Sequence, residues 1–334
     1  MTNETAKQSS NTPAGPLDTA RLGTTDMTIT RVGFGSWAVS GSGWTYSWGA
    51  TDDAESVAAI RHAVDSGVNW IDTAAAYGFG HSEEVVGRAL ARIGADARPY
   101  VFTKCSLLEG PDRRVVHSLK RDSVLREAEA SVKRLGGQPI DLYQIHWPNP
   151  LNEIEEGWAA LAELKDEGLV RHIGVSNFHP EQLNRIRRVA PVETLQPPYS
   201  LVERSVEAEI LPYAEAADIG VIVYSPMGSG LLTGAMTRER IAGLAEDDWR
   251  KHDARFNEPQ LTRHLALVDR LASVAARHDT SPGAVAAAWT LRNPAVDGAI
   301  VGFRRATQVD PLIAAANLEL DYADVQEIEH GTEA

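Results

Sequence analysis

The 334-residue chain contains one cysteine, Cys105. No disulfide can form within it, so it is not a small stapled scaffold, and a reducing compartment suits it. No apolar run approaches the roughly 20 residues needed to span a bilayer. Positive charge is scarce: 32 Lys and Arg stand against 46 Asp and Glu, a formal net charge of −14. Such a surface repels phosphate backbones and gains nothing from anionic lipid, so neither nucleic acid nor membrane is expected as a partner. A phosphorylated ligand would need cations gathered locally. Residues 1–20 are polar, rich in Ser, Thr, Asn and Pro, and lack the basic-then-apolar order of a secretory signal. They read as a flexible tail before a single domain over 21–334, and the expected location is the cytoplasm.

The chain then alternates short apolar runs with amphipathic segments. Eight strand candidates follow one another: 31–36, 68–73, 100–104, 141–146, 171–175, 193–196, 220–224 and 298–302. Helical stretches separate them, among them one over 123–135 with Leu125, Ala128, Val132 and Leu135 on one face and Gly136-Gly137 as its stop. Eight such units favour an α/β chain folded as a (β/α)8 TIM barrel over an open doubly wound sheet. A hairpin is expected with the N-terminal tail, and extra helices after strand seven, beyond a long insertion at 225–258, and at the C-terminus, around 322–330.

One motif is a decoy. Gly33-Phe34-Gly35-Ser36-Trp37-Ala38 fits the dinucleotide fingerprint, with Asp52, Asp53 and Glu55 downstream. That fingerprint requires a helix to open directly at the glycines. Residues 39–49 are instead rich in Gly and Ser and carry Trp44, Tyr46 and Trp48, so they read as a loop, with the helix starting near Asp53. The aromatics suit the lining of a barrel mouth or, more simply, a loop packing on itself.

Barrel enzymes place their chemistry at the C-terminal strand ends. The titratable residues there are Asp72, Lys104 and His146, on three consecutive strands, with Tyr77 five residues after Asp72. Singly, each has a structural reading: a turn-forming Asp-Thr, a lysine reaching solvent, a packed histidine. Together they suit carbonyl reduction, which needs a hydride donor and a proton donor for the developing alkoxide. Tyr77 would be the general acid. Lys104 would lower the phenol's pKa, Asp72 would anchor Lys104, and His146 would orient the carbonyl. Cys105 follows Lys104 and should point to the other side of its strand.

At these residues the sequence resembles the aldo-keto reductase superfamily. The match covers about 21–329, and its strongest parts are GVNWIDTAAAYGFGHSEEVVG at 67–87, VFTK at 101–104, DLYQIHWP at 141–148 and RHIGVSNF at 171–178. The resemblance implies a barrel that binds NAD(P)H in extended form and reduces aldehydes or ketones, with Asp72, Tyr77, Lys104 and His146 as its tetrad. It also implies a cofactor site. Ser176, Asn177 and Gln196 would hold the nicotinamide carboxamide, with Tyr224 stacking on its ring. Gly35, Ser36 and Trp37 would lie beside the ribose, with Asp72 close by. Ser225, Pro226, Met227, Gly228 and Ser229 would follow the pyrophosphate. Gly302, Arg304, Arg305 and Gln308 would receive the adenosine end, where paired arginines suit a 2′-phosphate and favour NADP(H) over NAD(H). This segment departs from better-known members, which begin it with Lys-Ser and carry a Glu-Asn pair where Pro311-Leu312 stands here. Trp37, Trp44, Trp48, Tyr77, His146 and Trp147 would form the substrate pocket for a small carbonyl compound, with Phe178 nearby. The superfamily also contains non-catalytic NAD(P)H-binding regulatory subunits, which is the alternative reading. A metal-dependent barrel hydrolase is a third, disfavoured because His146 has no H-x-H partner and the strand ends lack a carboxylate-rich ligand set.

Overall fold

The computed structural model of the chain describes residues 15–330, apart from 45 and 247. Eight parallel strands close into a barrel: β3 (Val32–Gly35), β4 (Trp70–Asp72), β5 (Tyr100–Cys105), β8 (Ile140–Ile145), β9 (Val170–Ser176), β10 (Thr194–Gln196), β11 (Gly220–Val223) and β12 (Gly298–Gly302). β12 pairs with β3 to complete the circle, Gly302 lying opposite Gly35. All eight coincide with the expected strands, give or take two residues at their ends. They are buried on both faces, which is why they read as continuous apolar runs.

Each helix lies outside its strand. α1 (Asp53–Asp65) opens where Asp52 accepts hydrogen bonds from the amides of Ala54 and Glu55, at 2.7 and 3.1 Å. α2 (His81–Leu90) and α3 (Arg121–Arg134) follow β4 and β5. Next come α4 (Ile154–Asp166), α5 (Pro180–Ile186) and α6 (Ile210–Ala216). The 225–258 insertion holds one short helix, α7 (Arg238–Ala242), and 3₁₀ turns. α8 (Gln260–Arg277) and α9 (Pro282–Leu291) precede β12; α10 (Val309–Ile313) and α11 (Tyr322–Glu329) end the described chain. No described helix is long and apolar enough to cross a membrane.

The packing has two layers. A large cluster lies between strands and helices, with Phe34, Ile71, Tyr143, Ile145 and Val175 facing Val86, Leu161 and Trp158. A smaller one fills the barrel: Trp70, Phe102, Leu142, Ile222 and Ile300. Trp70 needs unusual room. A Cβ on Gly33 would sit 2.1 Å from its ring, so glycine is the residue that fits beside it. Two antiparallel strands, β1 (Thr19–Arg21) and β2 (Thr28–Thr30), form a hairpin whose Leu22, Met27 and Ile29 join this inner cluster. The hairpin plugs the end of the barrel away from the strand C-termini. The expected tail limit at residue 20 therefore falls inside a packed element: Leu17 is already buried in the main core, and apolar Leu17 and Leu22 were the signal for it. Residues 1–14 of that expected tail lie outside the described residues.

A second hairpin has no counterpart in the sequence reading. β6 (Leu107–Glu109) and β7 (Val115–His117) pair antiparallel after β5, around Gly110 and a turn with Asp112 and Arg113 at positive φ. Its residues Leu107, Arg114, Val115 and His117 reach the barrel mouth.

Candidate active site

β3, β4, β5 and β8 end side by side, and their terminal residues converge on one cavity of about 1460 Å³. Ordinary small-molecule pockets occupy roughly 300–1,000 Å³, so this one has room for more than one ligand. No helix opens at the glycines of the decoy fingerprint: Ser36–Val39 is a single 3₁₀ turn, and α1 waits until Asp53.

Lys104 is fully buried, and its ammonium donates to Asp72 Oδ1 at 2.5 Å and to the Thr73 carbonyl at 2.9 Å. The other Asp72 oxygen accepts from Gln196 Nε2 at 2.9 Å. Burial opposes both charges, raising the Asp72 pKa and lowering that of Lys104, while their mutual attraction and hydrogen bond resist it. The Lys104 ammonium lies 5.3 Å from the Tyr77 ring centroid. Tyr77 is buried between Trp37 and Trp44, with His146 5.7 Å away edge-on.

The proton states differ from one sequence expectation. Lys104 was expected to lower the Tyr77 pKa, but the hydroxyl is held well above the ordinary tyrosine value by burial, and then by the charges of Asp72 and Tyr224. The reason is local. The ammonium is engaged by Asp72, and that carboxylate disfavours a second negative charge. Tyr77 therefore keeps its proton at neutral pH. His146 is pushed well below the ordinary histidine range by burial and by Lys104, so its ring is neutral. Its Nδ1 is buried without a hydrogen-bond partner.

Next to this cluster, Asn177 adopts a left-handed φ of +63°. It donates to the His146 carbonyl at 2.9 Å and to Ser176 Oγ at 3.0 Å, and its side-chain oxygen accepts from the Tyr224 hydroxyl at 2.8 Å. Ser176 Oγ donates to the Gln196 carbonyl at 2.7 Å. β9, β10 and the end of β11 thus present a wall of amides and hydroxyls beside the tetrad.

Gly35, Ser36, Trp37, Asp72, Ser176, Asn177, Gln196, Tyr224, Ser225, Pro226, Met227, Ser229, Gly302, Arg304 and Gln308 all line the cavity, as do Trp44, Trp48, Tyr77, His146 and Trp147. Four expected residues do not. Lys104 lies behind the lining, fully buried against Asp72. Phe178 is buried in the strand–helix core. Gly228 supports the 225–230 turn through its φ of +56° without facing the cavity. Arg305 points outward to Glu55 at 3.3 Å and is 69 % exposed. Trp48 does line the cavity, but at its far end: its carbonyl accepts from Arg304 at 3.2 Å, and Arg250 stacks over its ring at 4.6 Å.

That far end holds residues the sequence reading missed. Arg240 and Arg250, from the insertion, line the cavity with Arg304. Asp248 neutralises Arg250 through paired hydrogen bonds. Burial, then Arg250, Arg305 and Arg240, lower the Arg304 pKa. Three guanidiniums with one carboxylate between them form a local cationic corner in an acidic protein. Acidic neighbours nearly balance the insertion's arginines in sequence, so counting charge by segment could not find it. Cys105 is buried on the helix side of β5, its thiol pushed well above the ordinary range by burial.

A parallel eight-stranded barrel with a buried Tyr–Lys–Asp–His cluster at its C-terminal mouth defines a class of barrel oxidoreductases. The chain belongs to the aldo/keto reductase family, whose sequence profile matches residues 31–332. It is 39 % identical over 313 residues to the aldo-keto reductase YhdN of Bacillus subtilis (strain 168), covering 93 % of this chain and 92 % of that one. It is 33 % identical to the NADH-specific methylglyoxal reductase of Escherichia coli (strain K12), over 91 % of this chain and 94 % of the relative. The solved structure of a glycerol dehydrogenase from Gluconobacter oxydans superimposes with a TM-score of 0.84 at 38 % identity, covering 94 % of both chains. The protein is thus an oxidoreductase of a family that uses nicotinamide cofactors and small carbonyl substrates.

Proposed function

We propose that this enzyme reduces aldehydes or ketones to alcohols, with NADPH preferred over NADH. The observation that carries the reading is one cavity with two chemically distinct ends: Asp72, Tyr77 and His146 at one, with Lys104 buried behind Asp72, and Arg240, Arg250 and Arg304 at the other. The residues fit a nicotinamide dinucleotide. Ser176, Asn177 and Gln196 supply donors and acceptors for a carboxamide, Tyr224 supplies an aromatic face, and 225–230 supplies a turn of backbone amides for a pyrophosphate. The arginine corner suits a 2′-phosphate dianion.

When bound, the cofactor supplies the hydride. The protein's own residues do the rest. The neutral His146 ring hydrogen-bonds the substrate carbonyl oxygen and turns it toward Tyr77. As negative charge grows on that oxygen, the Tyr77 hydroxyl donates its proton, giving the alcohol and a tyrosinate. The Lys104 ammonium beside the ring stabilises this tyrosinate, and Asp72 keeps the ammonium charged and fixed. Trp37 and Trp44 exclude water from the reacting end. Run backward, the same set oxidises an alcohol. The names of similar proteins point to both cofactors: one is NADH-specific, and another, from Schizosaccharomyces pombe (strain 972 / ATCC 24843), is named for NADP(+).

Fluorescence titration with NADPH and NADH, then loss of reduced-nicotinamide absorbance with a panel of aldehydes, tests the proposal. Tyr77→Phe should lower kcat by about 10²–10⁴-fold, the span of general acid catalysis, with NADPH affinity unchanged. Near-normal turnover in Tyr77→Phe would overturn the assignment of the acid. Tight cofactor binding with no turnover of any aldehyde, ketone or sugar would move the reading to a regulatory NAD(P)H-binding subunit.

A further inference from the structure

Behind the reacting cluster lies a buried carboxyl that the mechanism does not use. Glu127, on the inner face of α3, is 8 % exposed. Its Oε2 accepts from the Ser106 amide at 3.0 Å, and its Oε1 accepts from Ser123 Oγ at 3.2 Å. Ser106 is fully buried and has a φ of +85°, a conformation that strains a non-glycine residue. It is also a junction. It ends the strand that carries Lys104 and starts the mouth hairpin β6–β7, whose Ser118 amide donates to its carbonyl at 3.2 Å. Its Oγ accepts from the Trp147 amide at 3.4 Å, and the neighbouring Cys105 carbonyl accepts from the His146 amide at 3.1 Å. One strained residue thus joins the backbones behind Lys104, His146 and Trp147.

We propose that Glu127 is a positioning residue for the reduction, its carboxylate clamping the left-handed Ser106 turn so that Lys104 and His146 are held in register at the mouth. The proposal rests on the reading of those two side chains given above. A carboxylate accepts an amide hydrogen bond far better than a neutral carboxyl does, so the clamp works only when Glu127 is ionised. Burial raises its pKa to about 7, with Glu83 raising it further and Ser106, Ser123 and Arg126 opposing. Of the other groups facing it, Cys105 on β5 and Tyr143 on β8 are both pushed far upward. Glu83, on α2, is fully buried and paired with Arg134 at 2.6 Å. His117, on the hairpin, has its pKa lowered by burial and is the one other group to control for.

The test is the pH profile of kcat/KM for aldehyde reduction, read beside hydrogen exchange at the Ser106 amide. The wild-type enzyme should lose activity as pH falls through about 7, and His117→Asn should keep that limb. Glu127→Gln, neutral at every pH, should show the low activity at pH 8 that the wild type shows at pH 6, with no acid limb and unchanged NADPH affinity. Its Ser106 amide should exchange about tenfold faster or more, as loss of a hydrogen bond to a charged group implies. An acid limb that persists in Glu127→Gln, or one that vanishes in His117→Asn, overturns the proposal. If Glu127→Gln does not fold, a wild-type profile flat between pH 6 and 8 overturns it alone. If the wild type reduces no carbonyl at all, the reading of the site fails, while unchanged amide exchange would separately defeat the clamp.

Discussion

Removing the Lys104 ammonium should leave Asp72 as a buried charge without its cation, and the consequence can be worked through. The Asp72 side chain is 3 % exposed, and Gln196 and Gln144 would remain as neutral donors to it. Breaking a buried pair in this way typically destabilises by about 3–5 kcal/mol. The carboxyl has one escape, which is to take up a proton. From its ordinary pKa of 3.8, each pH unit adds about 1.4 kcal/mol to the cost of that escape. The ceiling on the loss is therefore about 6 kcal/mol at pH 8 and about 1.6 kcal/mol at pH 5. Lys104→Met, which keeps the length of the side chain, should thus lose about 3–5 kcal/mol at pH 8 and under about 2 kcal/mol at pH 5 relative to wild type. Adding Asp72→Asn should restore most of the loss at pH 8, because a neutral pair leaves no buried charge. Urea unfolding at both pH values measures this directly. An equal loss at pH 5 and pH 8, or a double variant as unstable as the single one, would refute the reasoning.

The remaining expectations concern the two ends of the cavity and the barrel beneath it. Arg304→Ala and Arg240→Ala should each weaken NADPH binding about tenfold or more while barely changing NADH, as loss of a charge-assisted phosphate contact implies; Arg305→Ala should do neither, since its side chain faces Glu55. Equal weakening of both cofactors would remove the 2′-phosphate from this corner. Gly33→Ala would drive a methyl to 2.1 Å from the Trp70 ring, whereas Gly298→Ala would bring one to 3.0 Å. Both should lose stability in urea unfolding, Gly33→Ala by about 1–3 kcal/mol or more and Gly298→Ala by less; the reverse order would mean that the barrel interior can yield.

The barrel was legible because its strands are buried on both faces. Runs such as DLYQIH and GAIVG cannot be half-solvated, and their alternation with helices leaves few topologies. The tetrad was legible for a related reason: a charged residue closing an apolar strand is conspicuous. The β6–β7 hairpin was not, because LLE and VVH are too short to show a period and are separated by charged residues that read as an ordinary loop. The inner packing of the N-terminal hairpin was hidden in the same way, since its inward residues Leu22, Met27 and Ile29 are spread over a turn and one three-residue strand. Arg240 and Arg250 escaped because their approach to Arg304 is set by the course of the insertion, which no local pattern encodes.

Proton bookkeeping at the reacting end shows why the state of Tyr77 does not follow from Lys104 alone. Counted as separate groups, a lysine beside a tyrosine lowers the phenol's pKa. In the folded protein the lysine and Asp72 form a nearly neutral unit, and burial decides the state of the tyrosine. Before reaction the site therefore holds a protonated Tyr77, a neutral His146 and an internally balanced Lys104–Asp72 pair. None of these must reorganise its charge to accept a neutral carbonyl. Under the proposed mechanism, the Lys104 ammonium, 5.3 Å from the Tyr77 ring centre, would act once Tyr77 has given up its proton and carries a negative charge. An attraction that acts only once that charge has formed would be differential stabilisation, the form of interaction that raises kcat rather than tightening substrate binding.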